Sequence, residues 1–375
     1  MNTIPADGKQ HYRILDGLRG VAAIMVVAFH LFEGHATSHL DQLLNHGYLA
    51  VDFFFVLSGF VIGYAYDDRW KKLTLNDFFK RRIIRLQPMV VMGMVVGGVC
   101  LYFQSSPLFP EIAGIPVYYT ILLVIIGSTL LPVPPSMDVR GWGEMHPLNG
   151  PGWSLFFEYI ANILYAVWIR KFSKTALTVI VVLSGAALLH MAVTSPAGDI
   201  IGGWSLTGTQ LRIGFTRLLY PFFAGLLLSR VAKPTYIKNA FLWCSLLLIA
   251  VLAFPRVGGS EHLWWNGLYD AFSIIVIFPL IIYMGASGVL QGKRAIKVCT
   301  FLSDISYPIY ITHYPLVYIY MGYIATHKLT LADSYPIAII TFFGAIALAY
   351  ACLRWYDTPV RNWLNTKFMK PKVVN

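Results

Sequence analysis

The sequence predicts an all-α membrane protein, a polytopic bundle of about ten transmembrane helices. Of its 375 residues, 57% are hydrophobic and only 13% are charged, whereas soluble domains are about a quarter charged. The hydrophobic residues form runs that approach the roughly 20 residues a helix needs to cross a bilayer. Helices are expected in these runs because lipid offers no hydrogen-bond partner to an open backbone. The composition excludes a disordered chain and disfavours a soluble globular one.

Apolar runs follow one another along the whole chain with short connectors, so we expect one membrane domain over residues 1–375. Most runs are predicted to span the bilayer. The run 114–131, which contains Pro116 and Gly127, is predicted to be re-entrant or irregular, and about eleven full spans are the alternative. The runs lie at about 18–34, 47–66, 86–103, 114–131, 153–169, 175–194, 211–229, 240–254, 268–288, 305–325 and 335–353.

The net charge of +11 is attributed to topology rather than to a nucleic-acid partner. Cations are frequent in one set of connectors and rare in another, and the positive-inside rule places the first set in the cytoplasm. The N-terminal segment 1–13 and the tail 354–375 are then both cytoplasmic. Two cation-rich connectors enclose an odd number of apolar runs, which is why one run is predicted to be irregular. The cation-rich stretches are 69–85, 170–174, 230–238, 293–297 and 354–372, and the cation-poor ones are 35–46, 104–113, 195–210 and 329–334.

The first predicted span carries two ionisable residues, Arg19 and His30. Ionisable groups at membrane depth are costly and mark function by default. At ~100° per residue the two side chains return to within ~20° of one direction, and they lie ~16 Å apart along the helix axis. They are predicted to line one polar track as catalytic residues. Snorkelling of Arg19 to the headgroups and helix capping by His30 are the alternatives.

Two further carboxylates are candidate catalytic residues. Asp52 lies near the outer end of the second span, at a depth comparable with His30, where a carboxylate could orient and stabilise an imidazole. Glu158 opens a later span and is a second candidate partner for His30 or Arg19, and Glu33 is a third.

An arginine cluster before the third run is the candidate phosphate site. Arg81, Arg82 and Arg85 are placed in a loop that Pro88 closes. Arg82 and Arg85 share a face at i and i+3, and guanidinium groups bind phosphates bidentately. A topology signal beside anionic lipids is the alternative.

Four residues are candidate substrate contacts: Trp153, Ser306, Tyr307 and His313. Ser306 and His313 are seven residues apart and share a helix face. Hydrogen bonding between helices is the alternative for the polar ones. The histidines are scattered, so no metal site is predicted.

Several segments together resemble the membrane acyltransferase family 3, the polytopic O-acyltransferases that modify bacterial surface glycans and some antibiotics. They follow in order along nearly the whole chain, and the first two together are the most specific. They read LDGLRGVAAIMVVAFH, GYLAVDFFFVLSGFVIG, FFKRRIIRLQP, GPGWSLFFEYIANILYAVW and ISYPIYITHYPLVY.

The resemblance implies a ten-span fold in the bacterial cytoplasmic (inner) membrane that takes acyl groups, usually acetyl, from cytoplasmic acyl-CoA. It implies functional roles for Arg19, His30, Arg82 and Arg85, and less directly for Glu158. We expect no appended hydrolase-like domain, so that the membrane domain or a glycan-assembly partner would handle the acceptor.

One departure from the family pattern lies near the C-terminus, where Asp357-Thr-Pro359 stands in place of a frequent Glu-x-Pro. The shorter carboxylate changes little in the prediction. The predicted function is transfer of an acetyl group from acyl-CoA, as donor substrate, to a hydroxyl of a carbohydrate acceptor toward the outer face. His30 would act as general base or carry the acyl group, and Arg19 would contact the donor or stabilise the oxyanion. No bound cofactor is expected, and a transporter or flippase for a lipid-linked sugar is the alternative.

Overall fold

The computed structural model describes residues 11–369, so residues 1–10 of the predicted N-terminal segment and 370–375 of the predicted tail lie outside the described residues. The described chain is helical, and no β-strand occurs in it, which confirms the all-α prediction. The α-helices are α1 (Arg13–Glu33), α2 (Ala50–Tyr66), α3 (Leu75–Leu101), α4 (Val117–Gly127), α5 (Gly152–Val167), α6 (Lys174–Thr194), α7 (Gly208–Val231), α8 (Ala240–Ala253), α9 (Leu263–Phe272), α10 (Phe278–Ala286), α11 (Lys293–Thr312), α12 (Tyr314–His327), α13 (Leu331–Cys352) and α14 (Thr358–Phe368).

Seven helical stretches between residues 11 and 369 are long and apolar enough to cross a membrane. Two of them are composite, because π-helical turns at Ser273–Ile277 and Leu353–Asp357 join α9 to α10 and α13 to α14. Helix α8 has 14 residues and α5 has 16, fewer than the roughly 20 of a full span. The fold is a helical membrane bundle, and the count of ten spans stays a prediction.

The segment predicted to be irregular forms the short helix α4. Its 11 residues correspond to about 16 Å of helix, roughly half of the hydrocarbon thickness. Pro116 precedes the helix, and Leu130 after it adopts a positive φ of 58°. The prediction that the run 114–131 is not one regular span is therefore confirmed.

Two other expectations about helix boundaries were wrong. The predicted loop with Arg81 to Arg85 is the N-terminal part of α3, which begins at Leu75 behind a Thr74–Asp77 capping box. The predicted single span 305–325 is divided at His313 into α11 and α12.

Pro315 explains the division at His313. It has no N–H to donate to the Ile311 carbonyl, which would be its partner in a continuous helix. That carbonyl instead accepts a hydrogen bond of 2.7 Å from Asn149 Nδ2.

The bundle core is built on two close helix pairs, α2 with α7 and α1 with α11. A Cβ on Gly59 would lie 2.0 Å from the Phe222 carbonyl oxygen, and one on Gly225 would lie 1.9 Å from that of Val56. The α2–α7 crossing therefore requires glycine on both helices, as is typical of membrane helix packing. The tight packing fixes α2 beside α1 and positions the residues described next.

Candidate active site

Two cavities lie at opposite ends of α1. The arginine cavity, of about 690 Å³, is lined by Arg19, Arg82 and Arg85 and reaches the C-terminal helix. The histidine cavity, of about 570 Å³, is lined by His30 and Glu33 together with loop residues around Trp142 and Trp204. Because Arg19 and His30 are eleven residues apart, the two cavities are offset by about 16 Å along the helix.

The arginine cavity is rich in cations, and most of them are paired. Arg19 Nη1 lies 3.4 Å from Asp16 Oδ1. Arg85 differs, since it makes no ion pair with another described residue and its side chain is exposed to the cavity. Five arginines of the described chain line this space: Arg19, Arg82, Arg85, Arg354 and Arg361. Such a cavity suits a polyanionic ligand.

Glu158 pairs with neither of its predicted partners. Its Oε1 accepts hydrogen bonds from Arg82 Nη2 at 2.8 Å and from Ser58 Oγ at 3.0 Å. It lines the arginine cavity. The expectation of a pair with His30 or Arg19 was wrong, because the α5–α3 packing directs the carboxylate to Arg82.

The C-terminal part of the chain contributes two arginines that the sequence analysis missed. Arg354 lies in the π-helical turn and Arg361 in α14, where its Nη1 is 3.1 Å from Asp357 Oδ2. Both line the arginine cavity, and from the sequence the stretch that contains them is assigned to topology. Arg81, in contrast, is exposed and is not among the cavity residues, because it lies about 100° around α3 from Arg82.

His30 and Glu33 form the acid–base pair of the histidine cavity. The His30 Nδ1 atom is 2.6 Å from Glu33 Oε2. An ionised carboxylate only accepts hydrogen bonds, so the proton lies on Nδ1 and the lone pair on Nε2. The pair sits at i and i+3 of one helix, and both side chains are partly exposed. This geometry is that of an oriented general base.

The ring of His30 is held by the segment that divides α11 from α12. His313 stacks against it with ring centroids 5.6 Å apart, and Tyr314 meets it edge-on at 4.5 Å. His313 is fully buried, and its Nδ1 faces the carbonyls of Ile309 and Tyr310 at 2.9 and 3.0 Å. His313, which was predicted to contact substrate, therefore packs against the His30 ring instead.

Asp52 does not orient His30. Its carboxylate is fully buried and is bound by Arg217, with Nη2 to Oδ2 at 2.6 Å and Nε to Oδ1 at 3.2 Å. Arg217 also donates to the carbonyls of Tyr48 and Gly202 and lies 5.3 Å from the Trp153 ring. The predicted pairing was wrong because Arg217, in α7, occupies the position beside Asp52. An arginine within the run 211–229 was the available signal.

Aromatic residues form the rest of the histidine cavity. Trp142, Trp153 and Trp204 all line it, so the predicted contact Trp153 belongs to the same cavity as His30. Ser306 and Tyr307 line the arginine cavity instead. Their hydroxyls donate to the carbonyls of Ser303 and Leu86, each at 2.8 Å.

A second carboxyl group, that of Glu144, faces the histidine cavity from a connector. It is 4% exposed, accepts a short hydrogen bond from Tyr318 Oη, and lies 3.4 Å from Arg140 Nη1. Burial raises the pKa of Glu144 to about 7, against the opposing effects of Arg140 and Tyr318. The group thus changes charge near neutral pH.

Val51 and Tyr310 line both cavities and form the wall between them. Val51 belongs to α2 and Tyr310 to α11, and both side chains are buried. The cation-rich and the imidazole-bearing cavities thus adjoin at these two side chains. Arg19 and His30, about 16 Å apart, cannot both contact one reacting carbonyl.

Comparison with known proteins finds relatives that are described as acyltransferases. "Protein 2 in picA locus" from Rhizobium radiobacter is 30% identical over 190 residues, 49% of this chain and 95% of that protein. "O-acetyltransferase OatA" from Staphylococcus aureus is 24% identical over 361 residues, 92% of this chain. "Acyltransferase MdmB" from Streptomyces mycarofaciens is 29% identical over 171 residues, 43% of this chain and 40% of its own. No solved structure matches the chain significantly.

The coverage of these relatives differs. This chain spans 57% of the length of the staphylococcal protein. The family model described as "Acyltransferase domain" matches residues 12–354, which include α1 with Arg19 and His30 and all of α3. The chain therefore belongs to this acyltransferase family and is a membrane acyltransferase.

Proposed function

We propose that the protein transfers an acetyl group from cytoplasmic acetyl-CoA to a hydroxyl group of a carbohydrate acceptor at the outer side of a bacterial cytoplasmic membrane. One observation carries the proposal: a cavity lined by five arginines and a cavity with an oriented histidine share a two-residue wall. Membership of an acyltransferase family favours acyl transfer over the transporter alternative.

The arginine cavity would hold the donor. CoA carries several phosphate charges, and the exposed Arg85 is available to them without breaking an ion pair between described residues. Arg354 and Arg361 bring further cations to the same space. Arg82 would keep its bond to Glu158 and shape the site. Because Arg19 is remote from His30, it would contact the pantetheine arm rather than the thioester oxyanion.

The histidine cavity would hold the acceptor. Indole rings offer apolar faces on which the C–H face of a sugar can pack, and Trp142 and Trp204 lie at this cavity with Glu33 and Glu144. The names of the staphylococcal and streptomycete relatives, an O-acetyltransferase and an acyltransferase, support a hydroxyl as acceptor. The positive-inside rule supports placing this end outside.

His30 would act as general base on the acceptor hydroxyl. Nε2 takes the hydroxyl proton, the oxygen attacks the thioester carbonyl, and Glu33 stabilises the imidazolium. The C–S bond then breaks, and the proton returns from His30 to the CoA thiolate. Transfer through an acyl-histidine is the second route. To distinguish it, the protein is incubated with labelled acetyl-CoA in the absence of acceptor and quenched with acid. Label bound to the protein would indicate the acyl-histidine route.

The test uses inverted membrane vesicles that contain the full chain, with acetyl-CoA labelled in the acetyl group added to the outside medium, which the cytoplasmic face contacts. We expect label in the glycan fraction, released by mild base as an ester. Vesicles with the His190→Ala variant serve as control, because His190 is exposed on α6 and is not among the residues of either cavity. Absence of ester label with the folded wild-type protein would refute the proposed function.

A further inference from the structure

The wall between the two cavities lies on the proposed route of the acyl group. Only Val51 and Tyr310 among the described residues appear in the lining of both cavities. Their side chains are 8% and 6% exposed. A donor held in the arginine cavity and an acceptor in the histidine cavity must therefore meet beside these two side chains.

Tyr310 is fixed in the wall by contacts on two sides. Its hydroxyl lies 2.6 Å from Ser154 Oγ, and Ser154 in turn donates to the Pro151 carbonyl at 3.1 Å. Since Ser154 has one proton, Tyr310 is the donor to it. Phe54 meets the Tyr310 ring edge-on, with centroids 5.3 Å apart and an interplanar angle of 83°. The tyrosine ring cannot turn aside without losing these contacts.

Val51 is equally constrained. It lies in α2, where a β-branched side chain strongly prefers one rotamer, and it belongs to a buried cluster with Phe55 and Trp153. Helix α2 itself is held by its close crossing with α7 at Gly59 and Gly225. Neither the side chain nor the backbone can easily yield to a larger group.

We propose that Val51, which together with Tyr310 lines both cavities, determines the length of the acyl group that is transferred and restricts it to short chains. This inference rests on the proposed function. During transfer the acceptor oxygen replaces the CoA sulfur on the carbonyl carbon of the acyl group. The rest of the acyl chain has to fit beside the methyl groups of Val51 at the same time. In rigid apolar sites one methylene changes kcat/KM by about 10- to 200-fold.

The experiment supplies inverted vesicles with equal concentrations of labelled acetyl-CoA and butyryl-CoA in separate reactions. The measured quantity is the ratio of butyryl to acetyl transfer into base-labile ester. Val51→Ala removes two methyl groups from the wall, and we expect this ratio to rise at least tenfold. Val51→Ile adds a methylene, and we expect the ratio to fall below that of the wild type.

Val56→Ala is the matched control, because it makes the same change in the same helix at a buried residue that lines neither cavity. We expect it to leave the ratio within twofold of the wild type. If Val51→Ala is poorly folded by size-exclusion chromatography, Val51→Ile decides the question.

The outcomes separate the two proposals. A wild-type protein that transfers neither acyl group contradicts the proposed function itself. A wild-type protein that transfers acetyl, with an unchanged ratio in both Val51 variants, overturns only the assignment of Val51. A rise in Val56→Ala as large as that in Val51→Ala also overturns it, because general loosening of the helix packing would then be the cause.

Discussion

The two cavities differ in whether an exposed charged side chain in the lining lacks an ion-pair partner among the described residues. In the arginine cavity a guanidinium, that of Arg85, is exposed and makes no ion pair with the described residues. In the histidine cavity each charged group has a partner at hydrogen-bond distance: His30 has Glu33, Arg217 has Asp52, and Glu144 has Tyr318.

His39, at the edge of the histidine cavity, follows the same pattern. Its Nδ1 is 2.8 Å from Asp199 Oδ2, and this hydrogen bond raises the pKa of His39. Asp199 also pairs with Arg256 at 3.1 Å. The contrast indicates that the arginine cavity presents a charged side chain to a ligand. In the histidine cavity the charged side chains instead orient one another.

The largest expected effect is at the oriented base. His30→Ala should lower kcat for acetyl transfer by about 100- to 10,000-fold, the usual contribution of a general base. Binding of CoA, measured by isothermal titration, should be unchanged because His30 does not line the arginine cavity. Loss of CoA binding in this variant would contradict the proposal that the donor binds in the arginine cavity and the acceptor in the histidine cavity.

The next effect concerns the buried Asp52–Arg217 pair. Asp52→Asn should destabilise the protein by about 3–5 kcal/mol, because it leaves a buried guanidinium without its counter-ion. Thermal unfolding in detergent measures this, and the double variant with Arg217→Met should be less destabilised than Asp52→Asn alone. If Asp52→Asn keeps its stability and loses only kcat, the sequence-based role of Asp52 as partner of His30 is right after all.

A smaller effect tests the exposed charge. Arg85→Ala should raise KM for acetyl-CoA about 10- to 100-fold with kcat nearly retained, since one charge-assisted hydrogen bond is worth about 1.5–3 kcal/mol. Arg81→Ala removes a neighbouring charge that does not line the cavity and should change KM less than threefold. Equal effects of the two variants would mean that the cluster acts only through topology.

The smallest effect is a pH dependence of stability at Glu144. Its pKa is raised from 4.5 to about 7, so the folded state favours the neutral carboxyl. This stabilisation is complete below about pH 4.5 and is lost as the pH rises through about 7. Between pH 5 and 8 the wild-type Tm should fall about 2 to 4 °C more than that of Glu144→Gln.

The control for this measurement is Glu111→Gln, which changes an exposed carboxyl of another connector. It should follow the wild-type pH profile. Parallel profiles for wild type and Glu144→Gln would show that Glu144 is ionised throughout this range.

The parts of the structure that the sequence predicts are those set by local periodicity. The apolar runs become helices, and the common face of Arg19 and His30 follows from a separation of eleven residues. The pair of His30 with Glu33 was among the predicted alternatives for the same reason, since three residues make one turn. The short α4 was recognised from Pro116, Gly127 and the charge distribution.

The parts that sequence reasoning missed depend on contacts between distant segments. Asp52 meets Arg217 165 residues away, and Glu158 meets Arg82 76 residues away. The hydrophobic periodicity of a sequence does not indicate which helices are neighbours. Asp52 was linked to His30 only because the two residues were predicted to lie at a similar depth in the membrane. Arg354 enters the arginine cavity only because α13 and α14 pack beside it.

The intrahelical position of the His30–Glu33 pair has a mechanical consequence. Both residues belong to one turn of α1, so a movement of this helix carries the two side chains together. Helices can move as rigid bodies when a bulky acceptor enters or leaves, and the imidazole keeps its tautomer throughout. The helices can therefore shift without changing the protonation pattern of the general base His30.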